Sequence, residues 1–152
     1  MSEKLLFNGR YFKIEKIYNR IGDKITALIS SGKGEKYIYK SFCVNSCEYD
    51  NFADKIEFVR TSYNTLANLV PIPKIITFSF EERAFIREFI EGNTLNEINI
   101  DEFDNLDINS KIFEFNNKLE QKGYSVHFDP DKYIFADNVL YYLGYSLEKN
   151  DI

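Results

Sequence analysis

The sequence predicts an α+β fold: a five-stranded antiparallel sheet with one helix, then a reduced helical region that carries a β-hairpin. Between residues 11 and 90, short runs of β type are separated by turns or by one helical stretch. The stretches 48–69 and 109–122 instead repeat apolar residues every three or four positions, which is typical of helices. With 152 residues, the chain is long enough for one substantial core.

Five strands are predicted in the first part of the chain. They cover residues 11–18, 25–29, 36–42, 74–80 and 84–90. The third strand places Lys40 on the same face as Ile38 and Phe42, which is unusual for a solvated lysine. A lysine directed into a cleft needs an anionic partner, phosphate or carboxylate.

The helix predicted over 48–69 follows the lysine strand. Three acidic residues in it, Glu57, Asp54 and Glu48, are alternative partners for Lys40, and their spacing does not choose among them. Pro71-Ile72-Pro73 ends this helix, because proline cannot continue a helix and restricts the residue before it.

A change of composition at Glu91-Gly92-Asn93 predicts a boundary between two lobes of one unit, residues 1–91 and 92–152. An acid-rich stretch follows, and Asn109 or Ser110 then caps the helix over 109–122. After that helix comes the segment His127-Phe128-Asp129. The runs at 133–135 and 139–143 around Ala136-Asp137-Asn138 predict a hairpin.

This order of elements resembles the protein-kinase-like fold, closest to small bacterial kinases and aminoglycoside-phosphotransferase-like proteins. The segments that carry the resemblance are 36–40, 72–76, 85–92 and 127–129. It covers nearly the whole chain, although no single motif is a strict match.

The resemblance implies a site for ATP. Lys40 would contact the α- and β-phosphates and be held by Glu57, while Gly22 is the one glycine of the first turn. Backbone groups from Glu88 to Ile90 would meet the adenine.

In the same comparison, Asp129 would orient or deprotonate a substrate hydroxyl, with His127 in the same loop. Each residue also has a structural interpretation. Lys40 snorkels from a strand edge, His127 is a core histidine, and Asp129 caps the turn at Pro130.

Both metal positions of an active kinase are replaced. Ile134, or Tyr133 after a one-residue deletion, stands where a metal-binding asparagine belongs, and Leu143 or Gly144 replaces the metal aspartate. Neither pair offers the hard oxygen ligands that Mg²⁺ requires, so Mg²⁺ is not favoured. Carboxylates that offer a substitute ligand are Asp131, Asp137, Glu148 and Asp151.

We therefore expect a C-terminally truncated, degenerate kinase-like protein: a pseudokinase with weak or no phosphoryl transfer, which acts through a protein partner and binds ATP at most weakly. The first alternative is a minimal active kinase, for proteins or small molecules, that uses Asp129. The second is a purely structural interaction or inhibitor module with tyrosines at its contact surface. Apolar surface left uncovered on the helix over 109–122 predicts partner binding or self-association.

Composition limits which partners, cellular location and metal sites we expect. A net charge of −5 argues against a nucleic-acid partner, although a local basic cleft is still permitted. No apolar run reaches the length of a membrane span, and the first residues lack the apolar core of a signal peptide, so we expect a cytoplasmic protein without membrane contact. Cys43 and Cys47, with a single histidine in the chain, are expected to be reduced thiols and not a zinc site.

Overall fold

A computed structural model describes residues 3–21, 24–42, 52–144 and 147–150. Several residues considered above lie outside the described part: Gly22, Cys43, Cys47, Glu48 and Asp151, and also the side chain of Asp54. The chain forms two compact units. The first comprises Met1–Lys55 with Lys74–Phe89, and the second comprises Ile56–Pro73 with Ile90–Ile152.

The first unit is built on one antiparallel sheet. Its strands are β1 (Lys4–Phe7), β2 (Arg10–Ile21), β3 (Lys24–Ser30), β4 (Lys36–Ser41), β5 (Ile75–Ser79) and β6 (Ala84–Glu88). They lie in the order β1-β2-β3-β4-β6-β5.

Asn8 and Gly9 join β1 to β2 with φ angles of 50° and 78°. An Asn-Gly pair with two positive φ values favours a tight hairpin, because this turn twists in the same sense as the strands. The hairpin register then places Leu5 opposite Phe12 and Phe7 opposite Arg10.

Alternate residues of these strands form the core of the first unit. Its buried members are Phe7, Phe12, Ala27, Ile29, Tyr39, Ala84 and Ile86. Because side chains of a strand alternate between the two faces, the residues between them lie on the other face of β1 and β2. The rings of Phe7 and Tyr39 meet edge to face, with 6.1 Å between their centroids.

The second unit takes most of α1 (Phe52–Ala67), all of α2 (Ile108–Glu120), and short strands. These strands are β7 (Asn93–Thr94), β8 (Tyr124–Ser125), β9 (Tyr133–Ala136), β10 (Val139–Tyr142) and β11 (Glu148–Lys149). They form two small sheets, β10-β9-β7 and β11-β8. The core of this unit consists of Leu66, Val70, Leu95, Ile108, Phe115, Leu119, Tyr133, Leu140 and Tyr142.

The predicted fold class is wrong. The structure is mostly β, with 40% strand and 26% helix, and its large sheet has six strands where the sequence predicts five. The additional strand, β1, has only four residues and becomes recognisable only through the Asn8-Gly9 turn behind it. This architecture is therefore not a kinase N-lobe of five strands and one helix.

The predicted helical C-lobe is also wrong. In the described part of 92–152, α2 is accompanied by five short strands. The acid-rich stretch closes into short 3₁₀ turns at Leu95–Glu97 and Ile100–Glu102. Like charges four residues apart, such as Glu97 and Asp101, disfavour a continuous helix there.

Several individual elements are nevertheless confirmed at their predicted places. Strands β2 to β6 occupy the five predicted runs, and α1 and α2 lie within one or two residues of the predicted helices where the structure describes them. The hairpin of β9 and β10 turns at Asp137 and Asn138, which have φ angles of 49° and 65°.

Gly92 allows the chain to pass directly against β9. A Cβ atom at this position would lie 2.6 Å from the carbonyl oxygen of Phe135 and 2.9 Å from the Cβ of Ala136. Both contacts are too short, and the nearer one involves backbone that a rotamer change cannot move. Only glycine therefore fits between this segment and β9.

We expect Gly92→Ala to lower the free energy of unfolding by about 2–3 kcal/mol, since the added methyl group forces β9 to shift. Urea denaturation followed by circular dichroism measures the change. Gly32→Ala is the matched control, because nothing lies within 4 Å of a Cβ at Gly32. A loss no larger than that of the control would contradict the close approach.

Candidate functional site

The first unit holds two of the residues assigned to ATP binding. Lys40 lies half-buried in β4, opposite Thr26 of β3 and Phe85 of β6. Glu88 ends β6, where its amide donates to the carbonyl of Lys74 at 2.8 Å and its carboxylate accepts from the Lys74 amide at 3.3 Å. Glu88 thus fastens the start of β5 to β6.

The second unit holds Glu57 and Ile90. Glu57 lies on α1, with its carboxylate 3.7 Å from the guanidinium of Arg60 and its side chain 69% exposed. An ion pair this exposed contributes little to stability. Ile90 is half-buried where the chain re-enters this unit.

The loop after β8 brings His127, Asp129 and Asp131 together. His127 is exposed, while Asp129 is half-buried and its carboxylate accepts from the amide of Asp131 at 3.0 Å. This bond caps the 3₁₀ turn Pro130–Lys132, so the structural interpretation of Asp129 as a turn cap is confirmed. Asp131 is exposed and accepts from the side-chain amide of Asn96.

No group of three or more metal-ligating side chains is found among the residues that the structure describes. The hydrogen bonds of Asp129 and Asp131 give both carboxylates a structural role in the loop. The assignment of Lys40, Glu57 and Asp129 to ATP chemistry stays a prediction.

A groove in the second unit is the candidate site, and we call it the α2 groove. Its lining comes from the segment after α1, one face of α2, and the tip of the β9–β10 hairpin. The lining residues are Val70, Pro71, Lys111, Glu114, Phe115, Lys118, Asn138, Val139 and Leu140.

The local sequence explains how three distant segments meet there. Lys111, Glu114, Phe115 and Lys118 are spaced by three and four residues, so they share one face of α2. The hairpin is tied to the segment after α1, because the amide of Tyr142 in β10 donates to the carbonyl of Pro71 at 3.1 Å.

The floor of the α2 groove is apolar and its rim is charged. Val70, Phe115 and Leu140 are buried, while Glu114 and Lys118 are exposed and Lys111 is half-buried. The cavity volume is about 140 Å³. A dry cavity of about 150 Å³ accepts benzene, so the α2 groove has the size of one aliphatic or aromatic side chain.

An aromatic cluster supports the floor from behind. Tyr133 is completely buried, with ring centroids 5.4 Å from Phe115, 5.3 Å from Phe128 and 5.3 Å from Tyr142. Its hydroxyl has no hydrogen-bond partner among the described residues.

Burial raises the pKa of Tyr133, and the neighbouring Tyr142 adds to the rise. Burial likewise raises the pKa of Tyr142, with the charge of Asp129 as a second cause. Both hydroxyls are therefore held in the neutral form.

No known protein family and no curated protein matches this chain. Membership of the kinase-like family stays a prediction. Within the described ranges, no helix is long and apolar enough to cross a bilayer.

Sequence reasoning missed the α2 groove, although one signal for it was present. Lys111, Glu114 and Lys118 interrupt the apolar pattern of α2 around Phe115, which marks a face that is half core and half rim. The contribution of Val70 and Leu140 carries no such signal, because both have the pattern of ordinary core residues.

We expect Tyr133→Phe to raise the free energy of unfolding at neutral pH by about 1 kcal/mol, since it removes a buried hydroxyl that lacks a partner. An unfolded tyrosine loses its proton near pH 10, whereas folded Tyr133 retains it. Stability linked to this proton is therefore fully present below about pH 10 and lost as the pH rises further.

The alkaline loss of stability should accordingly be smaller in Tyr133→Phe than in the wild type. Urea denaturation at neutral pH and above pH 10 measures both effects. Tyr133→Leu keeps an apolar side chain but loses the ring contacts, and it should destabilise the protein at every pH. A Tyr133→Phe protein with lower stability at neutral pH would show that the hydroxyl is satisfied.

Proposed function

We propose that this protein is an interaction module whose α2 groove binds a segment of a partner protein. The occupant is an extended peptide that inserts one apolar side chain into the groove and presents a carboxylate beside it. The observation that carries this proposal is a buried apolar floor, Val70, Phe115 and Leu140, between two lysines on the rim.

The size of the cavity favours a peptide over a small-molecule ligand. Sites for drug-sized molecules usually enclose roughly 300–1,000 Å³, more than twice the 140 Å³ available here. A single leucine or phenylalanine side chain suits this volume, and such anchors dominate the energetics of protein interfaces.

The rim supports the choice of an acidic partner. Lys111 and Lys118 lie two turns apart on α2, about 10 Å along the helix axis, with Glu114 between them. Two cations against one anion make the rim positive, although the chain carries a net charge of −5. A carboxylate on either side of the apolar anchor would therefore lie beside a lysine of the rim.

This proposal keeps the predicted partner binding and does not depend on phosphoryl transfer or on a kinase-like architecture. A cytoplasmic location, as the sequence predicts, belongs to the same proposal.

Two defined peptides test the site by nuclear magnetic resonance. One has a leucine flanked by glutamates, and the other has the same leucine flanked by lysines. We expect the glutamate peptide to shift the amide signals of residues 70, 111–118 and 138–140, with an affinity of about 1 mM. The lysine peptide should bind more weakly.

The double variant Lys111→Glu and Lys118→Glu should weaken the glutamate peptide about tenfold and reverse the preference between the two peptides. Lys122→Glu, an exposed lysine just beyond α2, is the matched control and should behave like the wild type. Shifts outside the α2 groove, or equal losses in both variants, would refute the proposed site.

A further inference from the structure

On their outer face, away from the core of the first unit, β1 and β2 carry lysines, and the row extends past the buried Ser30 to Lys36 of β4. Lys4 of β1 lies opposite Lys13 of β2, Lys13 lies opposite Ser30 of β3, and Ser30 lies opposite Lys36 of β4. Neighbouring strands are about 4.8 Å apart, so the row spans about 15 Å across four strands. Lys4, Lys13 and Lys36 are all exposed.

This row is only partly neutralised. The carboxylate of Glu15 lies 3.7 Å from the ammonium of Lys13 and accepts from the hydroxyl of Ser30 at 2.7 Å. The Ser30 hydrogen bond and the charges of Lys13 and Lys36 hold the pKa of Glu15 below its ordinary value. Glu15 therefore remains ionised and offsets part of the positive charge of the row.

Like charges directly opposite each other destabilise a sheet, and Lys4 and Lys13 are such a pair. A bound anion would relieve this repulsion.

Exposed apolar and aromatic side chains lie beside these lysines. Leu6 and Tyr11 are cross-strand partners, 44% and 68% exposed. Further along β2, Tyr18 is 47% exposed, and the ammonium of Lys16 lies 5.0 Å from the centre of its ring. The outer face of β2 thus presents two tyrosines with Lys13 and Lys16 between them.

We propose that this outer face of β1 and β2, with Lys36 of β4, binds single-stranded nucleic acid. The lysines contact phosphates, while the rings of Tyr11 and Tyr18 stack on bases. Surfaces that bind single strands combine cations along the backbone with aromatic rings under successive bases. An acidic protein would be held by the lysines alone, whereas bases also stack on the exposed rings of Tyr11 and Tyr18.

The net charge of −5 argues against nucleic-acid binding by the chain as a whole, but the excess of acid is concentrated away from this face. Exposed carboxylates cluster in the acid-rich stretch of the second unit, at Glu97, Asp101, Glu102, Asp104 and Asp107. Affinity for phosphates depends on the local distribution of charge as well as its sum.

Fluorescence anisotropy tests the proposal on the full chain. The probes are labelled oligouridylate and oligothymidylate of about twelve nucleotides, which distinguish RNA from DNA. A DNA duplex of the same length and a polyglutamate peptide are the competitors. We expect either single strand to bind more tightly than both competitors, and to lose about 20-fold in affinity between about 50 mM and 200 mM KCl.

Tyr11→Ala should weaken single-strand binding about tenfold, while Tyr11→Phe, which keeps the stacking ring, should retain it. Replacing Lys13 and Lys36 by glutamine should also weaken binding and flatten its salt dependence.

Two controls come from the second unit. Phe113→Ala removes a ring that is 72% exposed, and Lys122→Gln removes an exposed lysine; neither should change the affinity. Circular dichroism verifies that each variant is folded. The proposal fails if neither oligonucleotide binds at low salt, if polyglutamate or duplex competes equally, or if the controls lose as much as the sheet variants.

Discussion

The burial of Tyr133 is the interaction on which the second unit depends. Its ring contacts Phe115 of α2, Phe128 of the loop and Tyr142 of β10, so one side chain joins a helix, a loop and a strand. Phe115 is shared between this cluster and the α2 groove. The floor of the groove is therefore continuous with the aromatic core behind it.

In the first unit, the comparable constraint is the alternation of β2. Phe12 and Ile14 point into the core, whereas Tyr11 and Lys13 point outward. The register skips one residue at Glu15 and again at Tyr18, so β2 contains two bulges. Bulges redirect side chains. Here one bulge occurs at Glu15, whose carboxylate partly neutralises the lysine row. The other occurs at Tyr18, whose ring centre lies 5.0 Å from the ammonium of Lys16.

Local periodicity was sufficient to find most elements but not the architecture. The runs of β2 to β6 and the apolar repeat of α2 are properties of neighbouring residues, and each occurs where the pattern predicts. The fold class failed because β1 is too short to show a period, and because the described region after Gly92 contains five strands of only two to four residues. Such strands are stabilised by tertiary packing, which no local window contains.

The same distinction between local pattern and tertiary packing applies to the candidate sites. The turn-capping role of Asp129 follows from its neighbour Pro130 and was accessible from the sequence. The α2 groove requires Val70, Phe115 and Leu140 to meet. The lysine row requires the register of four strands, of which only the β1–β2 pairing is set by the hairpin at Asn8. Pairing between distant segments is set by the whole fold, so neither surface was predictable.

The Asn8-Gly9 turn also has a chemical consequence. Asparagine followed by glycine is the dipeptide most prone to lose its side-chain amide, because glycine leaves the following backbone nitrogen free to attack. Conversion of Asn8 to aspartate would add a carboxylate at the tip of the hairpin that bears Lys4 and Lys13. As preparations of the protein age, this face would slowly become less positive.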